Sequence, residues 1–202
     1  GFATNDYNFI FLAHHADDVL ETFMINVMRG TGLKGLLGIP ERRGKILRPL
    51  LPFSREEIKQ YAFENKIQYR EDESNAKTDY LRNALRHEVI PKWKKRDSNF
   101  DEQFRETLKY LGQAQVVLDN VLEDFKNKNF IPFQQGFKIS IHELEVLPSL
   151  SYYLHALFAP YGFINLEDLE HLMHSQSGKQ LFSDTVCIDK SFGAHDTQIL
   201  SV

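Results

Sequence analysis

Leu12-Ala13-His14-His15-Ala16-Asp17-Asp18-Val19-Leu20-Glu21-Thr22 gathers two imidazoles and three carboxylates into eleven residues. The stretch follows the apolar run Asn8-Phe9-Ile10-Phe11-Leu12-Ala13. It leads into Leu20, Phe23, Met24, Val27 and Met28, which recur at helical spacing until Gly30 supplies a stop. Residues 8–13 therefore predict a buried strand, and the residues after them an amphipathic helix. Ligands bind at the carboxyl ends of strands in open α/β sheets. Adjacent ionisable side chains do not help a core, so this junction predicts a site that handles charge.

Within the cluster, His14 and Asp18 are four residues apart, and Asp18 and Glu21 three. On a helix such spacings share a face. Asp17 and Asp18 also fall in a first turn, where the helix dipole favours carboxylates, so Asp17 has a purely structural reading as a cap. His14, Asp18 and Glu21 together read as a site. Paired carboxylates at a strand end bind an ammonium group, bind a metal ion, or act as a base.

The 202 residues, 42% of them hydrophobic, suffice for one large or two small domains with a real core. A net charge of −4 does not mark a nucleic-acid binder, but the charge is uneven. Arg82, Arg86, Lys92, Lys94, Lys95 and Arg96 face a single acid, Glu88, and a local basic patch can bind phosphate on an acidic protein. The alternative is a solvated helix face. The lone Cys187 rules out an intrachain disulfide and any CxxC metal or redox pair in the chain, which fits a cytoplasmic location. No apolar run approaches the roughly 20 residues of a membrane span, so no membrane partner is expected.

Farther along, the glycines of Gly30–Gly38 mark a loop or broken helical turn, and Ile46-Leu47-Arg48-Pro49-Leu50-Leu51 a second strand whose proline suits an edge or an end. Ser54-Arg55-Glu56-Glu57 has capping-box spacing and opens a helix to about Asn65. Glu71-Asp72-Glu73-Ser74-Asn75 reads as a polar loop, followed by a helix over about Asp79–Ile90 that Pro91 interrupts. Beyond Asp97 the texture changes to a long helix marked by Phe104, Leu108, Leu111, Leu118, Leu122 and Phe125. Gly136–Ile141 predicts a strand, Tyr152–Ala159 and Asn165–His174 helices, and Gln180–Val202 two or three β segments. This texture places one domain at 1–97 and a mainly helical second domain with short β segments at 98–202.

A second constellation joins Asp72, Ser74 and Asn75 to Arg82-Asn83-Ala84-Leu85-Arg86-His87-Glu88. Arg82 and Arg86 lie one turn apart, and two guanidinium forks on one face suit a phosphodiester or pyrophosphate. The structural alternative is pairing with Asp79 or Glu88, worth only tenths of a kcal/mol. His171 and His174 have zinc-ligand spacing but no obvious acidic third ligand beyond Asp168 or Glu170, and read as surface histidines.

Several strings resemble the tRNA(Ile)-lysidine synthetases. They are Ala13–Thr22, Arg29-Gly30-Thr31-Gly32, Leu47-Arg48-Pro49-Leu50-Leu51, Ser54-Arg55-Glu56-Glu57-Ile58, Glu71–Asn75 and Tyr80–Glu88. The ordered set covers residues 9–92, although HHxDDxxET alone is shared with tRNA thiolases. The resemblance implies part of an adenine-nucleotide alpha-hydrolase-like fold (N-type ATP pyrophosphatase), with a parallel sheet followed by a mostly helical domain and a small β tail. It implies adenylation of the wobble cytidine of tRNA(Ile), CAU anticodon, by ATP with Mg2+, followed by attack of free L-lysine. In that scheme Asp18 and Glu21 orient the lysine ammonium, and His14 contacts the nucleotide or moves a proton. Arg82 and Arg86, and more weakly Arg48, hold tRNA or adenylate phosphate, and no protein-only metal site is expected.

One departure matters. The family's SGGxDS phosphate loop does not occur in residues 1–202. The expectation is that the loop lies upstream in a longer protein, that this stretch alone is inactive, and that its strands lose neighbours and promote self-association. Three rivals remain: a related tRNA thiolase, which the lone cysteine disfavours; a zinc-dependent N-deacetylase-like hydrolase, whose AHPDD signature lacks its proline here; and a non-catalytic RNA-binding module using residues 82–96.

Overall fold

A computed structural model describes residues 7–69, 80–133, 136–184, 186–192 and 198–201. Asp72, Ser74, Asn75 and Asp79, singled out above, lie outside them. The chain forms two compact units, Gly1–Gln115 and Val116–Val202, and the division falls inside one long helix. The change in sequence texture, by contrast, lies at Asp97.

The first unit is built on a small sheet. Strand β1 (Ile10–Phe11) pairs in parallel with β3 (Ile46–Leu47), which pairs antiparallel with β2 (Arg42–Arg43). Helix α1 (Ala16–Met28) and the single turn α2 (Leu33–Leu36) make the crossover between the parallel strands. The buried strand expected over residues 8–13 is corrected to two residues, and they are exposed: Ile10 by 47% and Phe11 by 67%. Among the described residues β1 has a ladder partner on one side only. The second strand likewise ends at Leu47, because Pro49 has no N–H to extend the ladder.

Helix α3 (Arg55–Glu64) starts on the expected capping box: the Ser54 N–H donates to Glu57 at 2.6 Å, and the Glu57 N–H to the Ser54 hydroxyl at 3.2 Å. After it come α4 (Tyr80–Ala84), a π turn over Leu85–Val89, and α5 (Ile90–Arg96). The expected interruption at Pro91 is corrected. The helix passes through the proline, which sits in the first turn of α5. A proline ring clashes with the carbonyl four residues back, and a widened turn just before it relieves that clash. Leu20 and Ile25 of α1 bury against Leu85 and Ile90, with Phe100 and Phe104 beside them.

Helix α6 (Phe100–Asn129) runs on into the second unit. There β4 (Ile131–Phe133), β5 (Gly136–Ser140), β6 (Gln180–Phe182), β7 (Cys187–Phe192) and β8 (Gln198–Ser201) form one antiparallel sheet in the order β4-β5-β8-β7-β6. Helices α7 (Ile141–Glu145), α8 (Leu150–Phe158) and α9 (Leu166–His174) accompany it. Its core includes Ile139, Leu144, Leu154, Leu157, Phe158, Leu169, Ile188 and Leu200, all fully buried. The expected β tail is thus most of a five-stranded sheet, whose β5–β8 pairing joins segments far apart in sequence. The α/β first part and mostly helical second part otherwise agree with the expectation.

Candidate functional site

The strand–helix junction is held by backbone before any side chain acts. The Leu12 N–H donates to the Leu47 carbonyl at 2.9 Å, and the Ala16 N–H to the Phe53 carbonyl at 2.8 Å. His15 takes extended torsions, φ −129° and ψ 179°, and becomes the N-cap of α1. Its N–H donates to the Asp18 carboxylate at 2.9 Å. His14 precedes the helix, so the shared helical face expected for His14 and Asp18 is not formed.

Three carboxylates leave this stretch of α1: Glu21 and Asp18 toward Arg86, and Asp17 toward Lys94. Glu21, only 1% exposed, receives the Arg86 guanidinium in a two-point grip: Nε to Oε1 at 2.7 Å and Nη2 to Oε2 at 2.8 Å. Asp18 accepts the same Nη2 at 3.2 Å. Arg82 lies 3.5 Å from Glu21 and donates to the Thr22 hydroxyl at 3.3 Å. The hydrogen bond that Arg86 donates to Glu21, working against burial, holds its guanidinium above the ordinary range. Arg82 and Arg86 do share a face, as the spacing predicts. They turn it on Asp18, Glu21 and Thr22 of α1; Asp79 lies outside the described residues.

Asp17 does not cap its own helix. Its Oδ2 accepts the N–H of Arg55 at the start of α3, at 2.8 Å, and its Oδ1 accepts Lys94 Nζ at 2.6 Å. Lys94 also lies 3.0 Å from Asp101 and 3.9 Å from Glu56. Burial pushes the Asp17 carboxyl up, but Lys94 and the Arg55 N–H outweigh it and hold the group below its ordinary value. Burial likewise opposes charge on Lys94, yet Asp17 and Asp101 raise its ammonium above the ordinary value.

A cleft of about 470 Å³ opens here, lined by His15, Asp17, Glu21, Arg86, Lys94 and Lys95 among others. That volume suits a small organic ligand. His15, not His14, lines it. The Nδ1 atoms of both histidines are buried without a hydrogen-bond partner. Arg48 stands apart, donating to the Pro40 carbonyl at 2.7 Å. Asp17, His15, Lys94 and Asp101 are the residues that sequence reasoning did not assign to the site. For Asp17 the adjacency to Asp18 was the available signal, but Asp101 carried none.

Elsewhere, His171 and His174 are exposed, with His174 Nδ1 3.8 Å from Glu145. No group of three His, Cys, Asp or Glu side chains among the described residues could hold a metal ion. No helix among them is long and apolar enough to cross a membrane.

Comparison with known proteins accounts for both parts of the chain. Residues 2–93 match the PP-loop domain family, and residues 133–188 the TilS substrate binding domain. The tRNA(Ile)-lysidine synthase of Porphyromonas gingivalis is 38% identical over 156 residues, which are 77% of this chain and 34% of that protein. The enzyme of the same name from Bacteroides thetaiotaomicron is 33% identical over 86% of this chain and 40% of its own length. That of Bacillus subtilis is 37% identical over 69% and 30%. The chain therefore spans about a third of the length of these relatives. The two domains occur in order, and HHxDDxxET is the very turn that grips Arg86; the chain belongs to the tRNA(Ile)-lysidine synthase family.

Proposed function

We propose that the protein carrying this chain joins free L-lysine, through its ε-amine, to C2 of the wobble cytidine in a tRNA(Ile) with a CAU anticodon. ATP and Mg2+ are the co-reactants and the cytoplasm is the location. ATP supplies a leaving group at the cytidine C2 oxygen, which is a poor one until it is adenylated. The SGGxDS loop that would cradle its phosphates is not in residues 1–202, and the described carboxylates do not fit magnesium, since Asp18 and Glu21 already hold Arg86. This chain's own residues therefore serve the amine and the RNA.

The single observation that carries the reading is the Glu21–Arg86–Asp18 cluster beside the cleft. Free lysine is almost wholly ammonium at neutral pH and must lose a proton to attack. Two carboxylates alone would stabilise the ammonium. With Arg86 and Arg82 against them their charge is cancelled, while their remaining lone pairs still accept N–H bonds. Such a site orients the amine without holding it charged. His15 lines the cleft with its Nδ1 buried 3.5 Å from Asp18, so the proton it takes from the amine is taken at Nε2, and His14 lies one residue behind it. Arg86 acts by setting the charge balance, and Arg82, partly exposed, retains capacity for phosphate. Arg48, bonded to Pro40, is a weaker phosphate contact than Arg82. The exposed apolar residues of β1 support self-association through that edge.

The test is radiolabelled-lysine transfer to a tRNA(Ile) transcript by the full-length protein. Label should enter the tRNA only with ATP. Glu21→Gln should lower kcat/KM for lysine at least roughly tenfold with a smaller change for ATP. Absence of ATP-dependent label in the wild type overturns the reading.

A further inference from the structure

The cationic run from Arg82 to Arg96 separates into two sets. Arg82, Arg86 and Lys94 turn inward and are matched by Glu21, Asp18, Asp17 and Asp101. Lys92, Lys95 and Arg96 are exposed and have no ion pair or hydrogen bond from their side chains among the described residues. They occupy positions i, i+3 and i+4 of regular α-helix, beyond the π turn, and so lie on one face. Lys95 also lines the cleft.

Like charges at these spacings destabilise a helix by a few tenths of a kcal/mol per pair. The helix dipole compensates Lys95 and Arg96, which stand in the last turn of α5. It does not compensate Lys92, which stands in the first turn. The chain as a whole carries −4, so the stripe stands against the sign of the net charge. A polyanion laid along the face would relieve the repulsion and release its own counterions.

We propose that Lys92, Lys95 and Arg96 form a phosphate-contact stripe beside the cleft that takes the sugar-phosphate backbone of the RNA substrate. The proposal rests on the lysidine-forming reading only for the identity of that RNA. It assigns backbone positioning to these three side chains and not to Arg86, whose fork is closed on Glu21. The exposed hairpin Arg42-Arg43-Gly44-Lys45 is the competing surface. There Arg42 is engaged, its guanidinium 5.8 Å over the Phe9 ring and its Nε donating to the Gly44 carbonyl.

The experiment measures binding of a tRNA(Ile) transcript to the full-length protein across a salt series. The K92Q/K95Q/R96Q variant should weaken binding roughly tenfold or more near 0.1 M salt and reduce the slope of log K against log salt by about 3, near one unit per lost phosphate contact. A charge-keeping K92R/K95R/R96K variant should retain the wild-type slope, which a purely structural role would not require. Single variants, each lowering the slope by about 1, keep the test available should the triple variant fold poorly. An unchanged slope in the glutamine variants, or a drop caused instead by R43Q/K45Q, overturns the stripe. Loss of slope in a protein that transfers no lysine supports the stripe and removes the lysidine reading. Lysine transfer with an unchanged slope does the reverse.

Discussion

Arg86 closes on Glu21 through two hydrogen bonds of 2.7 and 2.8 Å across 65 residues of sequence, and the carboxylate beneath it is 1% exposed. Breaking a buried pair by removing one partner typically costs about 3–5 kcal/mol, because the survivor is left charged and unpaired. Arg86 keeps some solvent contact, so its survival alone is cheaper than that of Glu21. Arg86→Met should therefore destabilise the first unit more than Glu21→Gln does, and the double variant should recover part of the loss. Urea unfolding of the four proteins measures this, and additive effects would contradict the pairing.

Asp17 and Lys94 set opposite ends of a pH window. The folded Asp17 carboxyl is held below its ordinary 3.8, so its contribution is present above that pH and is lost as pH falls through the lower folded value. The folded Lys94 ammonium is held above its ordinary 10.5, so its contribution is present below that pH and is lost as pH rises through the higher folded value. Stability should be flat between these limits as far as this pair decides it. Asp17→Asn should flatten the acid limb and Lys94→Met the alkaline limb in melting temperature measured against pH.

Lys190 should prove structural. It is 3% exposed and its Nζ donates to the carbonyls of Met173 and Ser175 at 2.5 and 2.7 Å, closing the end of α9. Lys190→Met keeps the length of the side chain but leaves both carbonyls without that donor, at a cost of about 1–3 kcal/mol. Denaturant unfolding should show the loss, with amide exchange fastest at the carboxyl end of α9. A neutral substitution would mean that water replaces the ammonium.

The β1 edge should make association concentration-dependent. Ile10 and Phe11 are 47% and 67% exposed on a two-residue strand with one ladder partner among the described residues, and Phe9 just before it is 46% exposed. A charge on such an edge blocks strand pairing. Sedimentation equilibrium of this chain should show self-association that Phe11→Lys weakens, whereas identical behaviour of the two proteins would locate the contact elsewhere.

Local chemistry was legible in the sequence and distant pairing was not. The Ser54–Glu57 box, the Asn165 cap of α9 and the helix after His15 all follow from residues within one turn of each other, and the structure has them. Spacing also placed Arg82 and Arg86 on one face. It left their partner open, because Glu21 reaches them only through the packing of α1 on α4 and the π turn. Asp17 was legible as a charge but not as a bridge to Arg55 and Lys94, 38 and 77 residues away. Short strands were missed or overextended for the same reason. β2 has only Arg42 and Arg43, and its pairing depends on the Gly44 turn rather than on any alternation of its own.

The wide turn at Leu85–Val89 has a consequence for angular phase. Eight residues of ideal α-helix would leave Lys94 rotated about 80° from Arg86. A turn that absorbs one extra residue, worth about 100°, brings the two within about 20°. Ammonium and guanidinium can then both address α1. Forcing this stretch into a regular α-helix at its present length would swing Lys94 and every later side chain of α5 out of alignment, with no charge altered.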